Sequence, residues 1–150
     1  QLNIQNDKEL DEFEKIITSN GFEIINSVEE KITEKVKIDL VKIVSNLPLE
    51  LKENLSTHLA ETMHQDYSKV SKVFSSTEGM TIEKYFIKLK TEKVKELIEA
   101  QEKNFTEISQ FLAYSNINHL SKQFKIETGM SLTDYKLLQN KGRNPLDQIV

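Results

Sequence analysis

The sequence predicts a mainly α-helical protein in which one helical unit is built twice. Its 150 residues include only four glycines and two prolines, while 29% are charged and 37% hydrophobic, a balance that favours helices. A stretch also recurs with a constant offset of 50 residues. Residues 71–85 contain SKVF, GMTI and a final tyrosine, and residues 121–135 contain SKQF, GMSL and a final tyrosine. Such a repeat usually marks one supersecondary unit present twice.

The first 26 residues predict a small α+β segment of a strand, a helix and a strand. Residues 1–5 alternate apolar and polar side chains, as a short strand does. A helix over residues 6–20 would carry the apolar stripe Leu10, Phe13, Ile16 and Ile17. Residues 22–25 read as a second strand. Two short strands and one helix bury little surface, so we expect an upstream part or a partner chain to cover them.

Residues 27–54 predict a long helix followed by a linker. Ser27 and Glu30 have the spacing of a capping box, which places the helix start there. Its predicted apolar stripe is Val28, Ile32, Val36, Leu40 and Ile43, with Val41 and Val44 beside it. The helix ends before Pro48, because proline disfavours helical backbone in the residue before it. The linker then runs over about residues 46–54.

The double unit is predicted over residues 55–140. In the first unit, a helix over 55–63 is followed by a turn at 64–66 and a second helix over about 66–76. Asp66 is expected to cap this second helix, and Gly79 to end it. A long helix then runs from Thr81 to about Ala100 and leads into the second unit.

In the second unit, Asn104 and Glu107 form a predicted capping box at the start of the first helix. A turn at residues 114–116 leads into the second helix, over about 117–127, whose packing residues are Ile117, Leu120 and Phe124. A last helix, capped by Ser131, is expected to end near Asn140. Residues 141–150 contain Gly142 and Pro145 and are predicted to be a loose tail.

A short helix, a tight turn and a second short helix form a helix-turn-helix, whose second helix can enter a DNA major groove. The connecting helix of about 20 residues would span ~30 Å at ~1.5 Å per residue. Successive major grooves on one face of DNA lie ~34 Å apart. One chain could therefore place two such helices in adjacent grooves, with Ser, Lys, Asn and His side chains of suitable chemistry facing the bases.

Both units share one ending: a phenylalanine, four further residues, Gly-Met, Ser or Thr, an aliphatic residue and, two residues later, a tyrosine. This ending resembles the DNA-binding domain of AraC-type (AraC/XylS) transcription regulators. The resemblance covers about residues 55–138. It is stronger in the second unit, which reads HLSKQFK over residues 119–125. Residues 1–45 resemble the back half of a ferredoxin-like, metal-associated domain, whose cysteine-containing metal loop is not in this sequence.

The AraC-type resemblance implies specific DNA contacts. Base-reading residues would be Ser68, Ser71 and Lys72 in the first unit, and Ile117, Asn118, Ser121 and Lys122 in the second. Phosphates would be bound by Lys69, His119, Lys125 and the backbone amides at the start of each second helix. A plainer alternative is that the serines and asparagine only cap helices and that the lysines are solvated charges.

The sequence departs from the AraC-type pattern in three respects. His64 and Ala113 stand where the first helix of each unit usually ends in glycine, and we expect the turn at Ala113 to be altered. Lysines replace the arginines usual in the second helices, which removes the bidentate guanidinium. Residues 49–150 are also electrically neutral rather than basic. The last two departures predict weaker and more salt-sensitive DNA binding.

Composition and motifs limit the other functions. The chain has no cysteine, no apolar run long enough to span a membrane, no nucleophile–base pair and no glycine-rich phosphate loop. We therefore expect a cytoplasmic protein that is not an enzyme and needs no metal or cofactor. The net charge of −4 lies in residues 1–48, which hold ten acidic residues and six lysines. This asymmetry leaves open a homodimer through the N-terminal segment, or a protein-interaction module with little DNA affinity.

Overall fold

The computed structural model describes the backbone of residues 28–51 and 53–149, and the side chains of these residues up to Asn140. This part of the chain contains seven α-helices. They are α1 Val28–Ser45, α2 Leu55–Met63, α3 Tyr67–Glu78, α4 Ile82–Ala100, α5 Phe105–Phe111, α6 Ile117–Thr128 and α7 Leu132–Ile149. Within these ranges there is no strand, which confirms the mainly α-helical prediction for this part. The strand–helix–strand predicted over residues 1–26 lies outside the described residues. No helix in the described ranges is both long and apolar enough to cross a bilayer.

Two hydrophobic cores lie at the two ends of α4. The first core joins α1, α2, α3 and the start of α4, and its buried members are Ile32, Val36, Leu40, Leu59, Val70, Phe74 and Ile82. The second joins the end of α4 with α5, α6 and α7, through Val94, Ile98, Ile108, Leu112, Tyr114, Leu120, Phe124 and Leu132. Because α4 supplies buried residues to both cores, it holds one helix-turn-helix unit at each of its ends.

Helix α1 packs as part of the first unit, although the sequence placed it ahead of the double unit. Val36 and Leu40 are fully buried against residues of α2, α3 and α4. The predicted stripe was wrong at Val28 and Val41, which are 71% and 44% exposed. Val41 lies about a third of a turn from the middle of the buried residues at 3.6 residues per turn, whereas Val28 lies on their row but is the first residue of the helix. The face of α1 that carries Val41 therefore points away from the core.

The predicted linker connects the two units a second time. Leu47 and Leu49 pack against the second core, and the Leu49 amide donates a hydrogen bond to the Phe111 carbonyl of α5 at 2.7 Å. The chain then returns to the first unit at Leu55. Residues 46–51 therefore form a strap that runs from the first unit to the second and back, alongside the connection made by α4.

Most of the predicted helix ends are confirmed. The Thr81 side chain accepts a hydrogen bond from the Lys84 amide, and Asn104 and Glu107 form the full capping box. The cap at Asp66 is wrong in its chemistry. Asp66 precedes α3, but its side chain makes no cap hydrogen bond, and its backbone carbonyl accepts from Lys69 and Val70 instead.

The predicted end of the last helix near Asn140 is also wrong. Helix α7 continues to Ile149, through Gly142 and Pro145. One proline inside a helix has a helical φ and removes only one backbone donor, so it does not always end a helix. Glycine and proline in residues 141–150 were therefore a weaker stop signal than the sequence interpretation assumed.

The two units have matching turns, and the expectation of an altered turn at Ala113 was wrong. His64 and Ala113 both adopt left-handed backbone, with φ of 55° and 60°. In the first turn the amides of His64 and Gln65 donate to the carbonyls of Glu61 and Ala60. In the second, the amides of Ala113 and Tyr114 donate to Gln110 and Ser109 at the equivalent spacing. Local hydrogen bonds and packing thus hold a residue with a Cβ in a conformation that glycine prefers.

Replacing Ala113 by glycine is expected to stabilise the protein by about 0.5–1 kcal/mol. Left-handed backbone costs an L-residue roughly 1–2 kcal/mol, which exceeds the ~0.5–1 kcal/mol that glycine loses in chain entropy. Urea denaturation would measure the change. Ala60→Gly, inside α2, is the matched control and should destabilise by roughly 1 kcal/mol. A loss of stability in Ala113→Gly would contradict the account.

Candidate nucleic-acid interface

The second helix of each unit, α3 or α6, has one face buried in its own core. Val70 and Phe74 of α3, and Leu120 and Phe124 of α6, are at most 1% exposed. Phe74 meets Tyr85 edge-on at 5.5 Å between ring centroids, and Phe124 meets Tyr135 in the same way at 5.6 Å. The repeated phenylalanine and tyrosine are thus core residues. They hold α3 and α6 in equivalent positions.

The opposite faces carry every side chain that the resemblance singled out for DNA contact. On α3 these are the exposed Ser68, Lys69 and Lys72 and the half-buried Ser71; on α6 they are the exposed Asn118, His119, Lys122 and Lys125 and the half-buried Ser121. Ile117 retains 37% exposure, so it packs only in part, contrary to its predicted role as a packing residue. It is the first residue of α6, where part of its side chain reaches the surface.

The lysines on these two faces have no acidic partner in the part of the chain that the structure describes. Among the described residues, no carboxylate lies within 4 Å of the ammonium groups of Lys69, Lys72, Lys122 and Lys125. Two acids at the ends of the same helices are paired elsewhere. Glu78 of α3 meets Lys37 of α1 at 2.9 Å, and Glu127 of α6 meets Lys88 of α4 at 3.5 Å. A chain that is neutral over residues 49–150 therefore still presents positive charge on both outward faces.

The start of α6 is the most structured part of this surface. Asn116, which the sequence analysis missed as a site residue, caps α6 by accepting a hydrogen bond from the His119 amide at 2.9 Å. The His119 ring lies 3.3 Å from the Ser115 hydroxyl and meets the Tyr114 ring edge-on at 5.2 Å. Asn116, Asn118, His119, Ser121 and Lys122 line one surface depression. An asparagine just before a helix start was the signal that could have identified Asn116.

Lys90 joins the connecting helix to the second unit. Its ammonium lies 4.0 Å from the centre of the Tyr114 ring, while the Tyr114 hydroxyl donates a hydrogen bond to Gln123 of α6 at 2.8 Å. The same ammonium lies 5.6 Å from the centre of the Phe86 ring. Burial lowers the pKa of Lys90 to about 8, because removal from water penalises the charged form. The ring contacts partly compensate for this loss of hydration.

Lys90→Met is expected to remove a pH dependence of stability above pH 8. The folded protein releases the Lys90 proton near pH 8, whereas the unfolded chain keeps it to about 10.4. The unfolded state thus holds more protons in this window, so this group makes the folded protein more stable as pH rises from 8 to 10. Methionine fills a similar space without a charge.

The free energy of unfolding of both proteins, measured from pH 7 to 10, checks this prediction. The difference between variant and wild type should favour the variant at pH 7 and shrink as pH rises. Tyr135, whose pKa burial also raises, contributes equally to both proteins and so cancels in the comparison. A constant difference across this range would contradict the assignment.

A sequence model of a protein family described as "Helix-turn-helix domain" matches residues 59–137. This match covers more than half of the chain and spans both units. The chain belongs to the AraC-type helix-turn-helix family. The AraC-type prediction made from the repeated endings is thereby confirmed. The family match begins at Leu59, within α2, and ends at Leu137, within α7.

Several solved structures have the same fold. The C-terminal domain of AraT, a response regulator from Geobacillus stearothermophilus, is 20% identical, with a TM-score of 0.64 over 75% of this chain and 88% of that one. The C-terminal domain of the response regulator yesN from Fusobacterium nucleatum is 19% identical, with a TM-score of 0.60 over 71% and 98%. An AraC-type regulator from Chromobacterium violaceum is 14% identical, with a TM-score of 0.60 over 71% and 94%. A search of curated protein sequences found no match.

The family and fold are those of DNA-binding transcription regulators, which are not enzymes. The described residues contain no group of three or more His, Asp or Glu side chains placed to hold a metal ion. The two outward helix faces offer hydrogen-bonding groups and positive charge.

Proposed function

We propose that this chain is a sequence-specific, double-stranded DNA-binding transcription regulator that inserts α3 and α6 into adjacent major grooves. The observation that carries the proposal is the placement of two equivalent helices at the two ends of α4, each with lysines that have no acidic partner among the described residues. Helix α4 has 19 residues, which corresponds to ~28 Å. That length is close to the ~34 Å between successive major grooves on one face of DNA.

Base reading is assigned to the residues that the AraC-type resemblance singles out for it. Lys72 and Lys122 can donate to guanine, Asn118 can pair with adenine, and Ser68, Ser71 and Ser121 can contact either kind of base. Ile117 offers an apolar surface that fits a thymine methyl group. These contacts would distinguish sequences because each base pair presents a different pattern in the major groove.

Phosphate binding is assigned to the other polar residues that the resemblance places on these helices. Lys69, Lys125 and His119 would contact the DNA backbone, together with the amides at the starts of α3 and α6. Lysine binds phosphate as a point charge and lacks the two-pronged geometry of arginine. The result is an interface whose affinity depends strongly on salt, as counterions return to the DNA when the lysines leave.

Enrichment from a randomised duplex pool tests this function. The chain is incubated with the pool at low salt, bound DNA is recovered over several rounds, and affinity is measured by fluorescence anisotropy at two salt concentrations. We expect a site with two short motifs about one helical turn apart, and a salt slope of about −0.9 per phosphate contacted. Failure to enrich any sequence at low salt would instead favour the protein-interaction module.

Homodimerisation through residues 1–26 stays an open alternative, based on the incomplete strand–helix–strand pattern. Sedimentation equilibrium at concentrations well above micromolar would test it. A strictly monomeric chain would remove the pairing role. It would leave the DNA-binding proposal intact, since a single chain already carries two recognition helices. The cytoplasmic location expected from the sequence is likewise a proposal that follows from the regulatory role.

A further inference from the structure

The outward face of α1 combines apolar and positively charged side chains that nothing in the described structure covers. Ile38 is 54% exposed and Val41 is 44% exposed, although both lie in the middle of a helix whose other face is buried. Ile38 also lines a groove between α1 and α2 together with Met63. An isolated exposed aliphatic residue is ordinary, but neighbouring ones beside a groove favour a docking surface.

A row of lysines borders this apolar surface. Lys31, Lys35 and Lys42 are exposed on the same side of α1 as Ile38, by the geometry of 3.6 residues per turn. No carboxylate among the described residues lies within 4 Å of their ammonium groups. The fourth described lysine of α1, Lys37, differs because it pairs with Glu34 and Glu78. The surface therefore suits an occupant with an apolar stripe and acidic flanks.

We infer that the acidic N-terminal segment, residues 1–26 of the same chain, docks on the outward face of α1. The segment contains six acidic and two basic residues, and the chain enters α1 directly after it. Its predicted helix over residues 6–20 carries Leu10, Phe13, Ile16 and Ile17 as an apolar stripe. A tether this short gives the segment a high effective concentration at α1 compared with any separate partner.

The spacing of charges agrees with this pairing. Lys35 and Lys42 are seven residues apart, or about two helical turns. In the predicted helix, Asp7 and Glu14 have the same separation and border the apolar stripe. Two helices packed side by side place residues of this spacing opposite each other at the edge of their apolar contact. The docked segment would cover part of the first unit's surface through α1.

Hydrogen–deuterium exchange on the full chain tests the docking. Amides of residues 7–17 should be protected in the wild type, and Ile38→Glu should reduce that protection at least tenfold. Because Ile38 is exposed, its replacement should leave the cores intact, which the melting temperature of the double unit checks. Ile126→Glu is the matched control, since Ile126 is also exposed, at 79%, but lies on α6. It should leave the protection unchanged.

Charge exchange gives an independent readout. Lys35→Glu with Lys42→Glu should also lower the protection of residues 7–17, and adding Asp7→Lys with Glu14→Lys should restore it. Unprotected residues 7–17 in the wild type, or protection that none of these variants changes, would overturn the inference. Protection that rises with protein concentration, together with a dimer by sedimentation, would also overturn it, because the occupant would then be a second copy.

Discussion

Lys72→Ala and Lys122→Ala are each expected to weaken binding to the selected DNA site about tenfold or more. Both lysines lie on outward helix faces without an acidic partner among the described residues, so neither change disturbs the folded chain. A good base contact contributes about 1–3 kcal/mol of discrimination. Together the two changes should therefore weaken binding by roughly 100-fold, measured by fluorescence anisotropy at fixed salt.

The two single variants should also separate the two units. Lys72→Ala should relax the base preference in one motif of the site, and Lys122→Ala in the other. Lys95→Ala is the control, because it removes the same charge from α4, where Lys95 pairs with Glu92 at 2.9 Å. If the double variant bound with wild-type affinity, or if Lys95→Ala weakened binding equally, the assigned contacts would be wrong.

Leu40→Ala is expected to destabilise the protein by about 3 kcal/mol. Leu40 is fully buried between α1 and the first unit, and a buried leucine reduced to alanine loses its apolar contacts and leaves a cavity. The expected result tests whether α1 belongs to the folded first unit, because loss of a separate helix would leave the core of α2 and α3 unaffected. Urea denaturation monitored by circular dichroism measures the change.

A residue of the same helix supplies the control for this measurement. Val28 is 71% exposed at the start of α1, so Val28→Ala should change stability by less than about 0.5 kcal/mol. Equal and small effects of the two substitutions would show that α1 contributes nothing to the stability of the first unit. That outcome would contradict the first core as described.

Local patterns predicted much of this fold. The repeated phenylalanine and tyrosine lie in equivalent core positions, and the capping residues Thr81 and Asn104 begin their helices as expected. These features depend on residues close in sequence, so their spacing carries the information. The exposed positions of Lys72 and Lys122 follow from the same periodicity, since each lies opposite a buried face.

Features that depend on distant contacts could not be predicted in the same way. The sequence analysis placed Val41 on the buried side of α1, where it does not lie. A helix with apolar residues on two sides does not reveal from its sequence which side meets the core. The hydrogen bond from Leu49 to Phe111 joins segments more than 60 residues apart. Ala113 holds a left-handed turn because hydrogen bonds and packing around it outweigh its own preference. The contact of Lys90 with Tyr114 likewise forms only once the second unit packs on α4.

A spacing series on the selected DNA site tests the central proposal most directly. Duplexes are made in which the two motifs are moved apart by one base pair at a time, through half a helical turn and up to a full turn, and affinity is measured for each. Because α4 and the 46–51 strap both connect the two units, we expect a sharp optimum at one spacing and a loss of at least tenfold two base pairs away. Half a turn, about five base pairs, would place the motifs on opposite faces of the DNA. Equal affinity at all spacings, or for a duplex with one motif, would contradict insertion of α3 and α6 into adjacent grooves.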